Sequence, residues 1–171
     1  EMNTFKIDND ILINTYSNFE KESEDILFST DINFIQFHFC LEGKISFRYN
    51  NGSYILDLKE NNSLILFNPS TNLPIDASVQ KNTKYLSLLI TIKKFHGLFS
   101  ELTDNISFLS QENLDKKYYK ENIISPQIST VLNQIINEKL SENVKTLYLK
   151  GKVFELLGIY FNESNDLNIE Q

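Results

Sequence analysis

Lys44 to Leu58 read KISFRYNNGSYILDL, two runs of alternating apolar and polar residues on either side of Asn50-Asn51-Gly52. Asparagine and glycine tolerate left-handed backbone angles, so an Asn-Gly pair between alternating runs specifies a β-hairpin. Lys44 to Tyr49 and Ser53 to Leu58 are therefore expected to pair as antiparallel strands. Working outward, Ile32 to Leu41 is an apolar run ended by Glu42-Gly43. Ser63 to Phe67 is closed by Asn68-Pro69, and Tyr85 to Ile92 is a further apolar run. Weaker strand patterns lie at Ile11 to Thr15 and Ile26 to Ser29. Several short strands separated by turn residues argue for a sandwich or barrel.

Near residue 95 the period changes from two to that of a helix. Ser125 is a good N-cap and Pro126 suits the first helical position; Ile128, Val131, Leu132, Ile135 and Ile136 then share one helical face, to an end near Leu140. Ser141 to Asn143 form a short link, and a second helix is expected from Val144 to Phe161, antiparallel to the first. The mixed, polar stretch 101–124 fits a short helix plus loops. The expected organisation is a β-barrel over residues 1–95, a helical region over 96–162 and the start of a linker over 163–171.

The chain has 171 residues, 41% of them apolar and 12% aromatic, enough to bury one core without staples. Cys40 is the only cysteine, which rules out an internal disulfide. With no secretory leader and no long apolar run, a cytoplasmic location away from the membrane is expected. Glu1 ahead of Met2 reads as a residue left from an expression tag. Net charge is -7 and Arg48 is the single arginine, a poor match for duplex phosphates, so no direct DNA contact is expected.

FIQFHFCLEGKISF (34–47) and SLILFNPSTNLP (63–74) resemble the two conserved strand-turn segments of cupin barrels. They are followed by YLSLLITI, by KKFHGLF opening a short helix, and by a helix reading LYLKGKVFELLGIYF. That order, over roughly residues 10–162, resembles the N-terminal effector domain of bacterial AraC-type transcription regulators, particularly the branch related to siderophore-responsive ones. The resemblance implies a mainly β fold with α: a cupin-like antiparallel β-barrel of jelly-roll type followed by an antiparallel helical hairpin. It also implies a small-molecule effector in the barrel, a homodimer through the helices, and DNA contact through a C-terminal domain absent from this chain. The rival reading is a metal-free cupin enzyme, such as a sugar isomerase or epimerase, with His38 as the only obvious acid or base.

Metal-dependent cupins need a set of His and Glu ligands. Here the Glu position falls on Gln36, Ser29 to Asp31 stand where a His pair would be, and no His follows Asn68-Pro69. No metal or cofactor is expected. Nucleophile-elbow, phosphate-loop and zinc-protease motifs are absent from the sequence, so the chain is not read as an enzyme.

Along Ile32 to Glu42 side chains alternate between faces. Ile35, Phe37, Phe39 and Leu41 make one face apolar, while Gln36, His38 and Cys40 set polar groups among apolar ones on the other, as a ligand cavity requires. Gln36, His38, Cys40, Arg48 and Tyr85 are the candidate ligand-binding residues. For each a plainer role stays open: a satisfied core histidine for His38, a small buried hydrophobe for Cys40, a solvated hairpin arginine for Arg48, barrel packing for Tyr85. The apolar face of the last helix is wider than the stripe of somewhat over 100° that one contact uses. Leu147, Gly151, Phe154, Gly158 and Phe161 form a second seam, assigned to a homodimer contact or to the preceding helix.

Overall fold

The computed structural model describes residues 2–20, 22–99 and 117–163. Two antiparallel sheets face one another. The larger joins β1 (Met2–Asp8), β2 (Ile11–Asn18), β9 (Thr83–Thr91), β4 (Phe34–Glu42), β7 (Asn62–Phe67) and β10 (Tyr118–Ile123), in that spatial order. The smaller joins β3 (Ser23–Phe28), β8 (Ile75–Gln80), β5 (Lys44–Tyr49) and β6 (Tyr54–Lys59). Helices α1 (Ile92–Leu98), α2 (Pro126–Ile136) and α3 (Glu142–Glu163) cover the outer face of the larger sheet. No helix among the described residues is long and apolar enough to cross a membrane.

Strand alternation sorts the apolar residues into two cores. Between the sheets lie Tyr16, Cys40, Ile45, Phe47, Leu58, Val79 and Tyr85 with their neighbours. On the other side of the larger sheet, Ile35, Phe37, Phe39, Leu86 and Leu88 pack against Phe95 of α1, Leu132 of α2, and Val153, Tyr160 and Phe161 of α3. The Phe37 ring meets Tyr160 and Phe161 edge-on, with centroids 5.8 and 6.1 Å away. Burying a large aromatic in this way contributes about 1.5–3 kcal/mol.

The hairpin lies where the Asn-Gly pair puts it. Tyr49 pairs with Tyr54 around a four-residue loop in which Asn50, Asn51 and Gly52 all have positive φ (53°, 56° and 86°). Ser125 caps α2 by accepting the Ile128 N–H at 3.2 Å, with Pro126 at the first helical position.

Several boundaries differ from the sequence expectation, each for a local reason. Ile92 opens α1 rather than ending a strand, because the Thr91 hydroxyl caps the helix by accepting the Lys94 N–H at 3.2 Å. Helix α2 stops at Ile136 instead of near Leu140; beyond it the Glu138 carboxylate accepts the Leu140 N–H at 3.0 Å in place of a further helical rung. Residues 118–123, expected as loop or helix, form β10 paired along its whole length with β7. The sheet is therefore not complete at residue 95, where the sequence period changes. β1 and β8 were not foreseen either. The expectations for residues 101–116, and for a linker over 164–171, fall outside the described residues; Glu163, the first residue of that expected linker, is the last of α3.

Gly43, in the turn from β4 to β5, has φ +79°, and a Cβ there would collide with the Thr83 hydroxyl and lie 2.7 Å from the Asn82 carbonyl oxygen. Gly52 has φ +86° but open space around it. Gly43→Ala should therefore cost about 3 kcal/mol or more, strain and collision together, against about 1 kcal/mol for Gly52→Ala. Urea denaturation of the two variants checks this; equal losses would show that the turn yields to the methyl group.

Candidate functional site

β4 presents Gln36, His38 and Cys40 to the space between the sheets, and Tyr85 reaches the same space from β9. All four are closed off, at 2, 0, 0 and 1% exposure. Gln36 Nε2 donates to the Leu73 carbonyl at 2.6 Å, which leaves its Oε1 to accept from His38 Nε2 at 2.8 Å. With the proton on Nε2, His38 Nδ1 accepts from the Tyr85 hydroxyl at 2.5 Å. The imidazole is thus neutral and satisfied at both nitrogens, and its ring packs against both Phe47 and Tyr85. Complete burial penalises the imidazolium and takes the His38 pKa down to about 3. Burial, reinforced by the negative charge of Glu60, pushes the Cys40 thiol up to about 12, so Cys40 is a neutral thiol that donates to the Glu42 carbonyl at 3.4 Å.

One rung of the larger sheet continues this polar line. Asn14, Ser87 and His38 are register neighbours across β2, β9 and β4. The Thr4 hydroxyl donates to Asn14 Oδ1 at 2.7 Å, while Asn14 Nδ2 is buried without a hydrogen-bond partner. At the Gly43 end the barrel is shut. There Asn18 Nδ2 donates to the Val79 and Gln80 carbonyls, Tyr16 bonds Glu24, and the Thr83 hydroxyl donates to the Lys44 carbonyl at 3.1 Å.

Arg48 does not join the other four candidates. It lies on the outer face of the smaller sheet, where Nε and Nη2 grip Asp76 at 3.1 and 2.8 Å and Nη1 reaches Asp25 at 3.1 Å. Inward residues of β5 are Ile45 and Phe47, and the period of two turns Arg48 the other way. Its partners lie on β3 and β8, neither of which was placed well enough in the sequence to reveal them.

The opposite end of the barrel opens into a cavity of about 240 Å³. Leu56, Leu66 and Leu73 line its apolar part, four tyrosines (Tyr49, Tyr54, Tyr118 and Tyr119) its walls, and Asn50, Asn68, Thr71 and Lys117 its polar parts. Gln36 connects the buried network to this cavity, since it is the register partner of Leu66 and holds the Leu73 carbonyl. None of these lining residues was singled out in the sequence. Tyr49 and Tyr54 flank the hairpin turn and were legible in principle; Tyr118 and Tyr119 belong to the strand that was missed. Among the described residues no three His, Cys, Asp or Glu side chains come together in a way that would hold a metal ion.

On α3, Val144, Leu147, Gly151, Phe154 and Gly158 are exposed and recur every three or four residues along one side. α2 packs against α3 without covering this row. Phe161, placed in the same seam by the sequence, is instead 1% exposed and sits against Phe95 and Phe99, with centroids 5.3 and 5.4 Å away. By that last turn of α3 the seam has rotated into the sheet-facing core.

The model of the regulatory protein PchR N-terminal domain matches residues 21–168. No curated protein sequence matches the chain. Among solved structures, apo ToxT from Vibrio cholerae, a lysine-to-alanine variant, is 15% identical and covers 96% of this chain and 60% of its own, with a TM-score of 0.57. ToxT from the same organism with an unsaturated fatty acid bound is 12% identical over 96% of this chain and 59% of its own (TM-score 0.48). An RmlC-like cupin protein from Desulfovibrio desulfuricans is 14% identical over 53% of this chain and 80% of its own (TM-score 0.40). The apo ToxT likeness is one of fold, and this chain spans about 60% of the length of ToxT.

The buried imidazole has a measurable consequence. His38 in the unfolded chain titrates near its ordinary 6.5, and in the folded chain near 3. Its contribution to stability is fully present above pH 6.5 and is lost as pH falls towards 3, because in that window only the unfolded chain takes up the proton. Going from about pH 7.5 to about pH 5.5 should cost the native protein about 1.4 kcal/mol through this one group. His38→Asn, though less stable throughout, should lack that increment; equal pH dependence of the two urea midpoints would place the titration elsewhere.

Proposed function

Because this chain belongs to the regulatory protein PchR N-terminal domain family, we propose that it is the effector-sensing and dimerising part of an AraC-type transcription regulator. Its DNA contacts are assigned to a domain outside this chain. The observation that carries the sensing reading is the mouth cavity, where an apolar floor and aromatic walls are joined by Gln36 to the polar network inside the barrel. Small-molecule sites have this composition, mostly apolar with a few placed polar groups. Gln36, His38, Cys40 and Tyr85 then act from behind the wall: a ligand that shifts Leu73 also shifts the amide that orients His38.

Sensing requires the ligand to prefer one of two arrangements of the domain. Two strands connect the cavity to the helices. β4 carries Gln36 on one face and, on the other, Phe37 and Phe39, which touch Tyr160. β10 begins at the cavity with Tyr118 and Tyr119 and carries, one residue before its end, Asn122, whose Nδ2 donates to the Tyr160 hydroxyl at 2.6 Å. α3 in turn displays the seam of Val144, Leu147, Gly151, Phe154 and Gly158, to which we assign the homodimer contact. Within the proposed architecture, residues 1–95 with β10 form a jelly-roll sensing barrel, and α2 and α3 a helical hairpin that pairs two protomers in the cytoplasm.

The net charge of -7 supports leaving DNA contact to another domain. Catalysis has less support. The one candidate base, His38, is fully buried, has both nitrogens occupied, and lies outside the cavity wall.

Two outcomes are expected. In a thermal-shift screen of small metabolites, a ligand that raises the melting temperature of the native chain should lose most of that effect with Tyr54→Ala and keep it with Arg48→Met. The reverse pattern would move the site to the outer face of the smaller sheet. In analytical ultracentrifugation the native chain should dimerise, and Phe154→Glu should sediment as a folded monomer, because a carboxylate in an apolar seam is costly to desolvate. A native chain that stays monomeric at high micromolar concentration would remove the dimer assignment.

A further inference from the structure

Resting on the sensing reading above, we propose that the mouth cavity takes a planar aromatic anion, an aryl carboxylate or its equivalent, with Lys117 as the countercharge. Among the described lining residues Lys117 is the one charged side chain, and none of them is a carboxylate. Lys117 is exposed, and none of the ion pairs formed among the described residues includes it. A described lining with one ammonium and no carboxylate favours an anion over a cation.

The other polar groups point the same way. Asn68 uses its Oδ1 to accept the Ser70 N–H at 2.9 Å, which leaves its amide N–H₂ as a donor. Tyr49 and Tyr119 are held as protonated phenols, Tyr49 mainly by burial and Tyr119 by burial and the nearby carboxylate of Glu121. Glu121 accepts a bond from the Tyr119 hydroxyl at 3.3 Å but does not line the cavity. The lining is therefore rich in donors.

Shape selects within the anions. Tyr49 and Tyr54 stand with ring centroids 6.4 Å apart and planes 35° from parallel, a wall of two ring faces above the three leucines. Such surfaces pair best with another flat ring. At about 240 Å³ the cavity lies below the usual range of about 300–1,000 Å³ for ligand pockets, which favours a compact ligand over an extended one. A neutral sugar would leave the ammonium unmatched, and the described lining residues offer no carboxylate to accept from its hydroxyls.

The test is isothermal titration of the native chain with naphthoate, its uncharged analogue naphthamide, decanoate and glucose. Naphthoate should bind at least about tenfold more tightly than naphthamide, the margin expected of a charge-assisted contact. Lys117→Met should abolish that preference, while Lys59→Met, which removes the same charge outside the cavity, should retain it. Equal binding of naphthoate and naphthamide, or a preference that survives Lys117→Met, would overturn the assignment of Lys117. Tighter binding of decanoate or glucose, suppressed by Tyr54→Ala, would overturn the aryl-anion class and leave the cavity as the sensing site. If none of the four binds, the class is overturned as well, and the broader screen above decides the sensing reading separately.

Discussion

An imidazole with no solvent around it must be neutral and must have a partner at each nitrogen, and this requirement governs how the barrel is put together. His38 meets it through Gln36 on one side and Tyr85 on the other. Gln36 donates an amide N–H to the Leu73 carbonyl, so the segment between β7 and β8 is tied to the same chain of bonds. Leaving any one of these groups unmatched would cost about 1–3 kcal/mol, a large part of the stability of a domain this size. Register is therefore strongly specified along β4. A slip of one residue would turn His38 towards the helices and Phe37 into the barrel, exchanging a satisfied network for an orphaned one.

The same strand works on both faces, and that links the barrel to the helical layer. Where Gln36 and His38 look inward, Phe37 and Phe39 look outward into a cluster of rings from α1 and α3. Well-packed interiors do not deform continuously. A shift of β4 that repacks one face must be felt on the other, so the two cores are mechanically a single unit although the sheet separates them. The polar tether from Asn122 to Tyr160 adds a second connection at the sheet edge.

How much of this was legible in the sequence depends on how local each signal is. The Asn-Gly hairpin, the two faces of β4 and the capped start of α2 are each set by a few adjacent residues, and each was read correctly. β8 was missed because Ile75-Asp76-Ala77-Ser78-Val79-Gln80 alternates properly but contains Asp, Ala and Ser, which have little strand preference of their own; its pairing with β3 and β5 supplies what propensity lacks. β10 was missed for a related reason, since none of its residues is fully buried and the apolar pattern is diluted. The cavity lay beyond local reading altogether. Its walls come from Tyr49, Asn68, Leu73 and Tyr118, segments that only the finished fold brings together. Arg48 illustrates the converse: a side chain whose chemistry suggested a ligand proved to have two carboxylate partners, Asp25 and Asp76, on strands not yet in view.

The distance in sequence between β7 and β10 bears on when the cavity comes into being. β7 ends at Phe67, and the strand that pairs with it to finish the wall does not begin until Tyr118. A chain emerging from the ribosome can therefore pair β2 with β9 and β4 with β7, and bury His38, before the residues of β10 have been made. Contacts of such long range form late, because the entropy of closing the loop must be met before they return anything. The nascent barrel acquires its solid middle first and its open mouth last. During synthesis the domain thus passes through a compact stage that lacks the mouth cavity, which is completed only once residue 123 has cleared the exit tunnel.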